Sequence, residues 1–387
     1  MKNHALSHKF AAAFAICAAF ASGSALADIK IGINVPLTGF AAADGNSALT
    51  GAKLAVKKAN ANGGINGEQI ELVIYDDQAS AKDAIPAATK LIEKDEVVGA
   101  VSGSYSAATR AAAGVFQNAQ GPYVVAYSID PSITRTGDYM FRVSSMGEVQ
   151  GRAGAKLVDN LGKKRVVLVT LNNDFGQALA NGFKEAAPKF NLDIINEYEY
   201  GIKDRQFGPL IAKIKSDDPE VIYASGYFFN AGPLVSQIRA AGITVPIIGQ
   251  EGYDSDKFIE IAGPAAEGTL VTTSLDRDSE SKVTQAFLKE FREEAGFGAD
   301  MVAASTYSAT AILLDGLRET GGKGGAALRD AIAKGTYEMP IGKLQFNDLH
   351  EVNKDVQVQT IKDGYWARHS VIHDPELLAA PTKGTEA

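Results

Sequence analysis

Short runs rich in Val and Ile alternate with helix-length segments along nearly the whole chain, and few folds satisfy that alternation. The runs fall at 29–35, 70–75, 97–102, 123–126, 165–170, 193–200, 221–225, 247–249 and 268–273. Most lack the every-second-residue polarity of a half-exposed strand, so they read as parallel strands covered on both faces. Helices are expected between them at 47–62, 81–94, 107–118, 147–161, 175–190, 208–216, 232–241, 279–294 and 303–320. The first carries Leu49, Ala52, Leu54, Ala55, Val56 and Ala59 and stops at Gly63-Gly64, a helix-ending signal. The alternation predicts a doubly wound α/β architecture. Sheets of that kind bind ligands in the crevice beyond the carboxyl ends of their strands.

Length then divides the chain. The roughly 360 residues from Asp28 exceed one ordinary core and predict two lobes. The pattern restarts near Arg165, after the segment 141–147, so lobe 1 is expected over 28–144 and lobe 2 over 145–272. The long helices after Ser279 return to cover the first sheet, over 273–348. Residues 349–387 supply a late antiparallel strand pair to lobe 2, within 354–366, and a tail loose after Leu378.

Residues 1–27 have the three parts of an export signal. Lys2 and Lys9 are the charged start, 10–21 is an apolar core, and Ala25-Leu26-Ala27 is a small-x-small end. The apolar core is about a dozen residues, short of the ~20 a membrane span needs. An exported protein that works outside the cytoplasm is expected, with cleavage after Ala27. The single cysteine, Cys17, lies inside this segment, and Phe14-Ala15-Ile16 is a poor lead for lipidation. No cysteine remains for a disulfide or a thiolate. Net charge is −8, and loss of Lys2 and Lys9 carries it to −10, which disfavours nucleic acid and anionic membranes. The histidines are His4, His8, His350, His369 and His373, and no His/Cys cluster has metal-ligand spacing. No cofactor is called for.

Thr38-Gly39, Thr50-Gly51-Ala52, 62–67 (Asn-Gly-Gly-Ile-Asn-Gly) and Tyr75-Asp76-Asp77 stand in an order that resembles the periplasmic leucine/isoleucine/valine-binding protein family. So do Ser225-Gly226-Tyr227, 238–242 (Ile-Arg-Ala-Ala-Gly) and 249–252 (Gly-Gln-Glu-Gly). The resemblance runs from about Asp28 to Trp366. It implies a type I substrate-binding protein of an ABC importer: two lobes on a three-strand hinge that close on a small solute and dock on a membrane permease. The crossings are expected near 143–145, 272–275 and 346–353, and the protein is expected to be a monomer.

Candidate ligand contacts follow at strand ends. The loop 102–106 opens a helix, whose N-terminus suits a carboxylate. Ser106 either caps that helix or takes the ligand's carboxylate, as the family's serine does. At 127–129 the resemblance implies contacts to both the amino and the carboxylate group, partly through backbone. Ile129 stands where the family usually has a hydroxyl residue, and Ser128 could substitute. Tyr127 would narrow the pocket or stack on a ligand ring, and Tyr105 adds a further aromatic. Tyr227 and Glu251 match residues that close on the ligand from lobe 2, Glu251 on its ammonium group. Without the resemblance, Glu251 reads as a solvated loop acid and Tyr227 as lobe packing. Asp44 lies near a position where the family often has an aromatic, and Val302 aligns with a side-chain-pocket aromatic. The family's first-lobe disulfide positions fall on Ala79 and Tyr105, so that bridge is absent. The backbone-recognition half of the site is kept and the side-chain half altered.

Four functions are weighed. The first is binding of a branched-chain or other apolar amino acid for import. The second keeps the fold but takes an aromatic or aliphatic carboxylate without an amine, which Tyr105, Tyr127 and Ile129 would suit. The third is an exported hydrolase, which needs a nucleophile with a base, a metal or a carboxylate pair. Only the late histidines could serve it, and Asp76 and Asp77, adjacent in a strand, face opposite sides. The fourth is ligand sensing for a membrane receptor.

Overall fold

The computed structural model describes Asp28 to Gly384, and the expected leader, with Cys17, lies outside the described residues. Fourteen strands are described: β1 (Ile29–Val35), β2 (Ile70–Asp76), β3 (Ala100–Ser102), β4 (Tyr123–Val125), β5 (Met140–Arg142), β6 (Arg165–Leu171), β7 (Asp193–Tyr200), β8 (Val221–Ala224), β9 (Ile247–Gly249), β10 (Leu270–Thr273), β11 (Thr336–Met339), β12 (Gly342–Gln345), β13 (Val356–Lys362) and β14 (Tyr365–Ile372). They build two sheets and a hairpin. The first sheet is parallel throughout, in the order β2-β1-β3-β4-β5. The second runs β14-β13-β10-β9-β8-β6-β7, parallel as far as β10 and antiparallel beyond it. β11 and β12 pair with each other.

The helices are α1 (Ala42–Ala61), α2 (Ala81–Glu93), α3 (Ser106–Asn118), α4 (Gly147–Asn160), α5 (Asp174–Ala186), α6 (Gly208–Asp217), α7 (Phe228–Ala240), α8 (Asp256–Ala262), α9 (Lys282–Ala295), α10 (Met301–Thr320) and α11 (Gly325–Lys334). α1, α2, α3 and α10 pack around the first sheet, with α9 on α1 and α11 on α10. α4 to α8 surround the second. Both layers of each lobe meet at close range. A Cβ on Gly51 would stand 2.4 Å from the carbonyl oxygen of Ala303 in α10, and one on Gly182 would stand 2.0 Å from that of Glu148 in α4. Side chains there would force the helices apart.

The Val/Ile runs become strands because both sheet faces are covered; Ile31, Ile33, Val101 and Val124 are wholly buried. Several elements differ from the sequence expectation. β5 is a three-residue strand inside what reads as a lobe boundary. α7 begins at Phe228, with Pro233 inside it, whereas Gly232-Pro233 suggests a helix start. α8, α11 and the β11–β12 hairpin are too short to carry a clear period. The tail is not loose after Leu378: Arg152 donates from Nε to the Leu377 carbonyl and from Nη2 to that of Ala379, both at 2.7 Å. Further along, Ala380 N donates to Asn353 Oδ1 and Asn347 Nδ2 to the Pro381 carbonyl.

Sheet membership makes the chain pass between the lobes three times, at 143–146, 274–281 and 346–355. The third passage is fastened to the first lobe by a buried ion pair. Arg142 is wholly buried at the end of β5, and its Nε lies 3.1 Å from both oxygens of Glu351. Its Nη1 donates to the Ser128 carbonyl (2.7 Å) and its Nη2 to that of Asp130 (2.8 Å). Thr134 Oγ1 donates to Glu351 Oε1 at 2.5 Å. Glu351→Ala leaves a buried guanidinium without its counterion and should cost about 3–5 kcal/mol in urea unfolding.

Candidate functional site

The candidate residues sit just beyond the carboxyl ends of strands. Tyr105 and Ser106 follow β3, and Tyr127 and Ser128 follow β4. From the second lobe, Phe175 follows β6, Tyr227 follows β8, and Glu251 and Gly252 follow β9. Asp44, Met301 and Val302 come from the first turns of α1 and α10. These residues enclose one narrow cavity between the lobes. Such strand ends are where doubly wound sheets place ligands.

The first turns of α1 and α10 are fixed by capping. Asp300 is the N-cap of α10, and its Oδ1 accepts from Ala303 N (2.8 Å) and from Ser47 Oγ of α1 (2.6 Å). On the opposite wall, Asn173 caps α5 by accepting from Gly176 N (2.9 Å), which sets Phe175 at the cavity.

Aromatic rings bridge the lobes. The Tyr105 and Tyr227 rings stack at 4.2 Å with planes 3° apart. Phe175 packs on the other side of Tyr227 at 4.7 Å, and Phe40 meets Phe229 edge-on at 5.1 Å nearer the rim. Each such pair contributes about 0.5–1.5 kcal/mol beyond area burial. Arg110 of α3 reaches Asp174 of α5 at 2.6 Å. Both groups are about half exposed, so this pair adds at most ~1 kcal/mol. The lobes are therefore closed on each other through Tyr105 and Tyr227 rather than through charge.

Polar groups in the cavity divide into committed and free. Tyr127 Oη donates to the Gly103 carbonyl (2.5 Å), which holds its ring in the wall. Ser128 Oγ donates to the Ser104 carbonyl (2.5 Å) and shares a hydrogen bond with Thr109 Oγ1 (2.7 Å). Its proton is spent, so Ser128 cannot replace the donor missing at Ile129. Ile129 itself is not on the cavity wall. It is wholly buried, with its carbonyl accepting from Gly147 N at the start of α4. Ser106 is the first residue of α3 rather than its cap, and Tyr105 holds the cap position without a side-chain bond. Ser106 Oγ is buried and has no hydrogen-bond partner among the described residues.

Glu251 is 2% exposed, and neither of its carboxylate oxygens has a hydrogen-bond partner among the described residues. Burial pushes its carboxyl up to about 8, against the charge of Lys354. Burial likewise pulls the Lys354 ammonium down to about 8, and Glu251 opposes this. Lys354 Nζ also lacks a hydrogen-bond partner. Asp44 is 4% exposed and accepts from Tyr105 Oη at 2.7 Å. Burial, with Asp300 nearby, pushes it up to about 8. Two buried carboxylates thus line the cavity with no lysine, arginine or histidine beside them on its wall. The arrangement can receive donors and cations at Asp44 and Glu251, and an acceptor at Ser106 and the amides of the α3 N-terminus.

The sequence missed Phe175, Gly252 and Met301. All three lie beside residues already singled out or at a strand end, so the strand-end rule applied to β6 would have found Phe175. It also missed Lys354, which reads as an ordinary surface lysine. Asp77, the better buried of the Asp76-Asp77 pair, is consumed structurally: it accepts from Asn34 Nδ2 (2.6 Å), Ser104 Oγ (2.9 Å) and Ala79 N (3.0 Å). His350 stacks on Phe141 and its Nδ1 sits 3.1 Å from the Met140 carbonyl.

Residues 28–365 match the model of a family described as periplasmic binding protein. A leucine-, isoleucine-, valine-, threonine- and alanine-binding protein of Pseudomonas aeruginosa is 29% identical over 342 residues, covering 87% of this chain and 90% of its own. The structure of a branched-chain amino acid transporter substrate-binding protein from Streptococcus pneumoniae, solved with isoleucine, superposes with a TM-score of 0.84 at 28% identity, over 89% of this chain and 99% of that one. A solute-binding protein of an ABC transporter from R. palustris, solved with benzoate, shares the fold at a TM-score of 0.81 and 23% identity, over 89% and 96%. The chain belongs to the periplasmic binding protein family and has the type I fold of its substrate-binding proteins.

Proposed function

We propose that this protein is the exported, monomeric solute-binding component of an ABC importer, and that it clamps a small amino acid between its lobes and hands it to a membrane permease. One observation carries the amino-acid assignment: Glu251 is buried in the cavity with both oxygens unpartnered, and Ser106 Oγ, at a helix N-terminus on the opposing lobe, is unpartnered as well. A zwitterion satisfies both ends at once, ammonium on Glu251 and carboxylate on Ser106 and the α3 amides. Because the two ends belong to different lobes, the solute contacts both only in the closed form. That differential contact is what favours closure. The relatives that bind leucine, isoleucine and valine support the same solute class.

A second solute class is favoured by Lys354. Its charge acts on Glu251 from within the protein, so an amine is not the only cation available to that carboxylate. An amine-free aromatic or aliphatic acid would then bind through Ser106 alone, against the stacked tyrosines. Isothermal titration of the purified protein separates the classes. Heat should appear with at least one small α-amino acid, and Glu251→Gln should weaken its binding by roughly thirtyfold or more, about 2 kcal/mol. An amine-free acid should bind Glu251→Gln as well as it binds the native protein.

Glu251 also makes the unliganded protein pH-sensitive. Its folded value lies near 8 against an ordinary 4.5, so the folded chain holds a proton that the unfolded chain releases between those values. Stability from this group therefore falls as pH rises from about 5 to 8. Lys354, lowered to about 8, returns stability only above that pH. The thermal midpoint of Glu251→Gln, taken relative to the native protein, should rise between pH 5 and pH 8, by the equivalent of ~1–3 kcal/mol. Scanning calorimetry at both pH values measures it.

A further inference from the structure

Two further buried acids, Asp300 and Asp254, act on the charge of Asp44, and both have structural partners. Asp300 caps α10 and accepts from Ser47. Asp254 pairs with Arg277 and accepts from Thr273 Oγ1 at 2.6 Å. Asp44 is the one of the three that lines the cavity, and a single tyrosine hydroxyl is its side-chain partner among the described residues. It is 96% removed from solvent yet faces open space with no basic residue on the cavity wall. Met301 and Val302, from the adjoining helix, add apolar lining. Glu251, on the same cavity wall, has neither oxygen hydrogen-bonded among the described residues, so Asp44 is not needed to receive the α-ammonium.

A purely aliphatic side chain placed against Asp44 would strip the carboxyl group of water and give nothing back. Leaving a buried polar group unpaired costs ~1–3 kcal/mol. A side chain that ends in a donor avoids that cost, and sites built to hydrogen-bond a solute's hydroxyl or amine strongly reject isosteres that lack it.

We propose that Asp44 determines specificity by accepting a hydrogen bond from the solute's side chain, so that the preferred solute is a small amino acid carrying a hydroxyl or amino group beyond its α-carbon. This rests on the amino-acid assignment made above for the same cavity. The donor must be short, because side chains from both lobes crowd the cavity. Hydroxyl and amine are the two forms of the same donor chemistry, and paired solutes tell them apart.

The test is isothermal titration of the full chain with two pairs: threonine against valine, which match in shape, and ornithine against norvaline. At least one donor-bearing member should bind tenfold or more tighter than its apolar partner, and which pair shows it identifies the donor. Asp44→Leu should abolish or invert that ratio. Asp44→Asn, which keeps shape and an acceptor oxygen, should preserve a hydroxyl preference and lose an amine preference, and it serves if the leucine variant does not fold. Valine and norvaline binding at least as tightly as their partners would overturn the role of Asp44 while leaving amino-acid binding intact. So would a ratio unchanged in Asp44→Leu. Binding of benzoate with none of the four amino acids would overturn both together.

Discussion

The site loop after β4 has its shape because Arg142 holds it from behind. The guanidinium spends its donors on the carbonyls of Ser128 and Asp130 and on the carboxylate of Glu351. One buried cation therefore joins the cavity wall, the end of the first sheet and the third passage between lobes. A planar fork with donors on several edges is what such a junction requires, and lysine would reach only one of these partners well. The pair is not valuable as attraction alone, since taking both charges out of water offsets much of it. Its effect is positional. The third passage between lobes and the loop after β4 are tied to one another through the Arg142 donors.

The carboxylates in the cavity obey the opposite rule. Arg142 and Glu351 satisfy each other, whereas among the described residues neither Glu251 oxygen is within good hydrogen-bond geometry of a partner and Asp44 has one side-chain partner. Burial, with neighbouring acids adding to it, pushes both toward the neutral form near physiological pH. Uncompensated groups of this kind are tolerated because the surrounding helix caps and close helix contacts over-determine the fold. The stacked Tyr105 and Tyr227 rings supply what holds the lobes together without a solute, and they do so through weak, separable contacts. A solute whose ammonium ionised Glu251 would gain the ion pair but would have to expel the carboxyl proton, so its affinity would rise with pH through the same residue.

Architecture was legible from the sequence because parallel strands covered on both faces leave continuous Val/Ile runs, and nearly every such run is a strand within a few residues. β5 was not legible, since a three-residue strand ending in a buried arginine violates every compositional expectation. The strand-end positions of Tyr105, Ser106, Tyr127, Ser128, Tyr227 and Glu251 came from the alternation, and their chemistry from a family resemblance. What neither could supply was the destination of each proton and lone pair. Ser128 and Ser106 look alike in sequence, yet one hydroxyl is spent on Ser104 and the other is free. Ile129 differs from its neighbours only by turning toward α4. Lys354 is charged, near the chain's end and unremarkable until the third crossing brings it within the field of Glu251.

That last pairing bears on how a clamp of this kind tells its states apart. Glu251 lies after β9 of the second lobe, and Lys354 lies on the passage from β12 to β13. Lys354 is the cation that partly offsets the buried carboxylate; in the proposed complex a bound ammonium would be a closer one. Such a solute would compete with a charge the protein already carries. Competition lowers affinity below what a lone buried carboxylate would give, but it also spares the open state an isolated charge in a drying cleft. A binding protein that must surrender its solute to a permease gains from that compromise, because the carboxylate has a resident partner to return to when the lobes part.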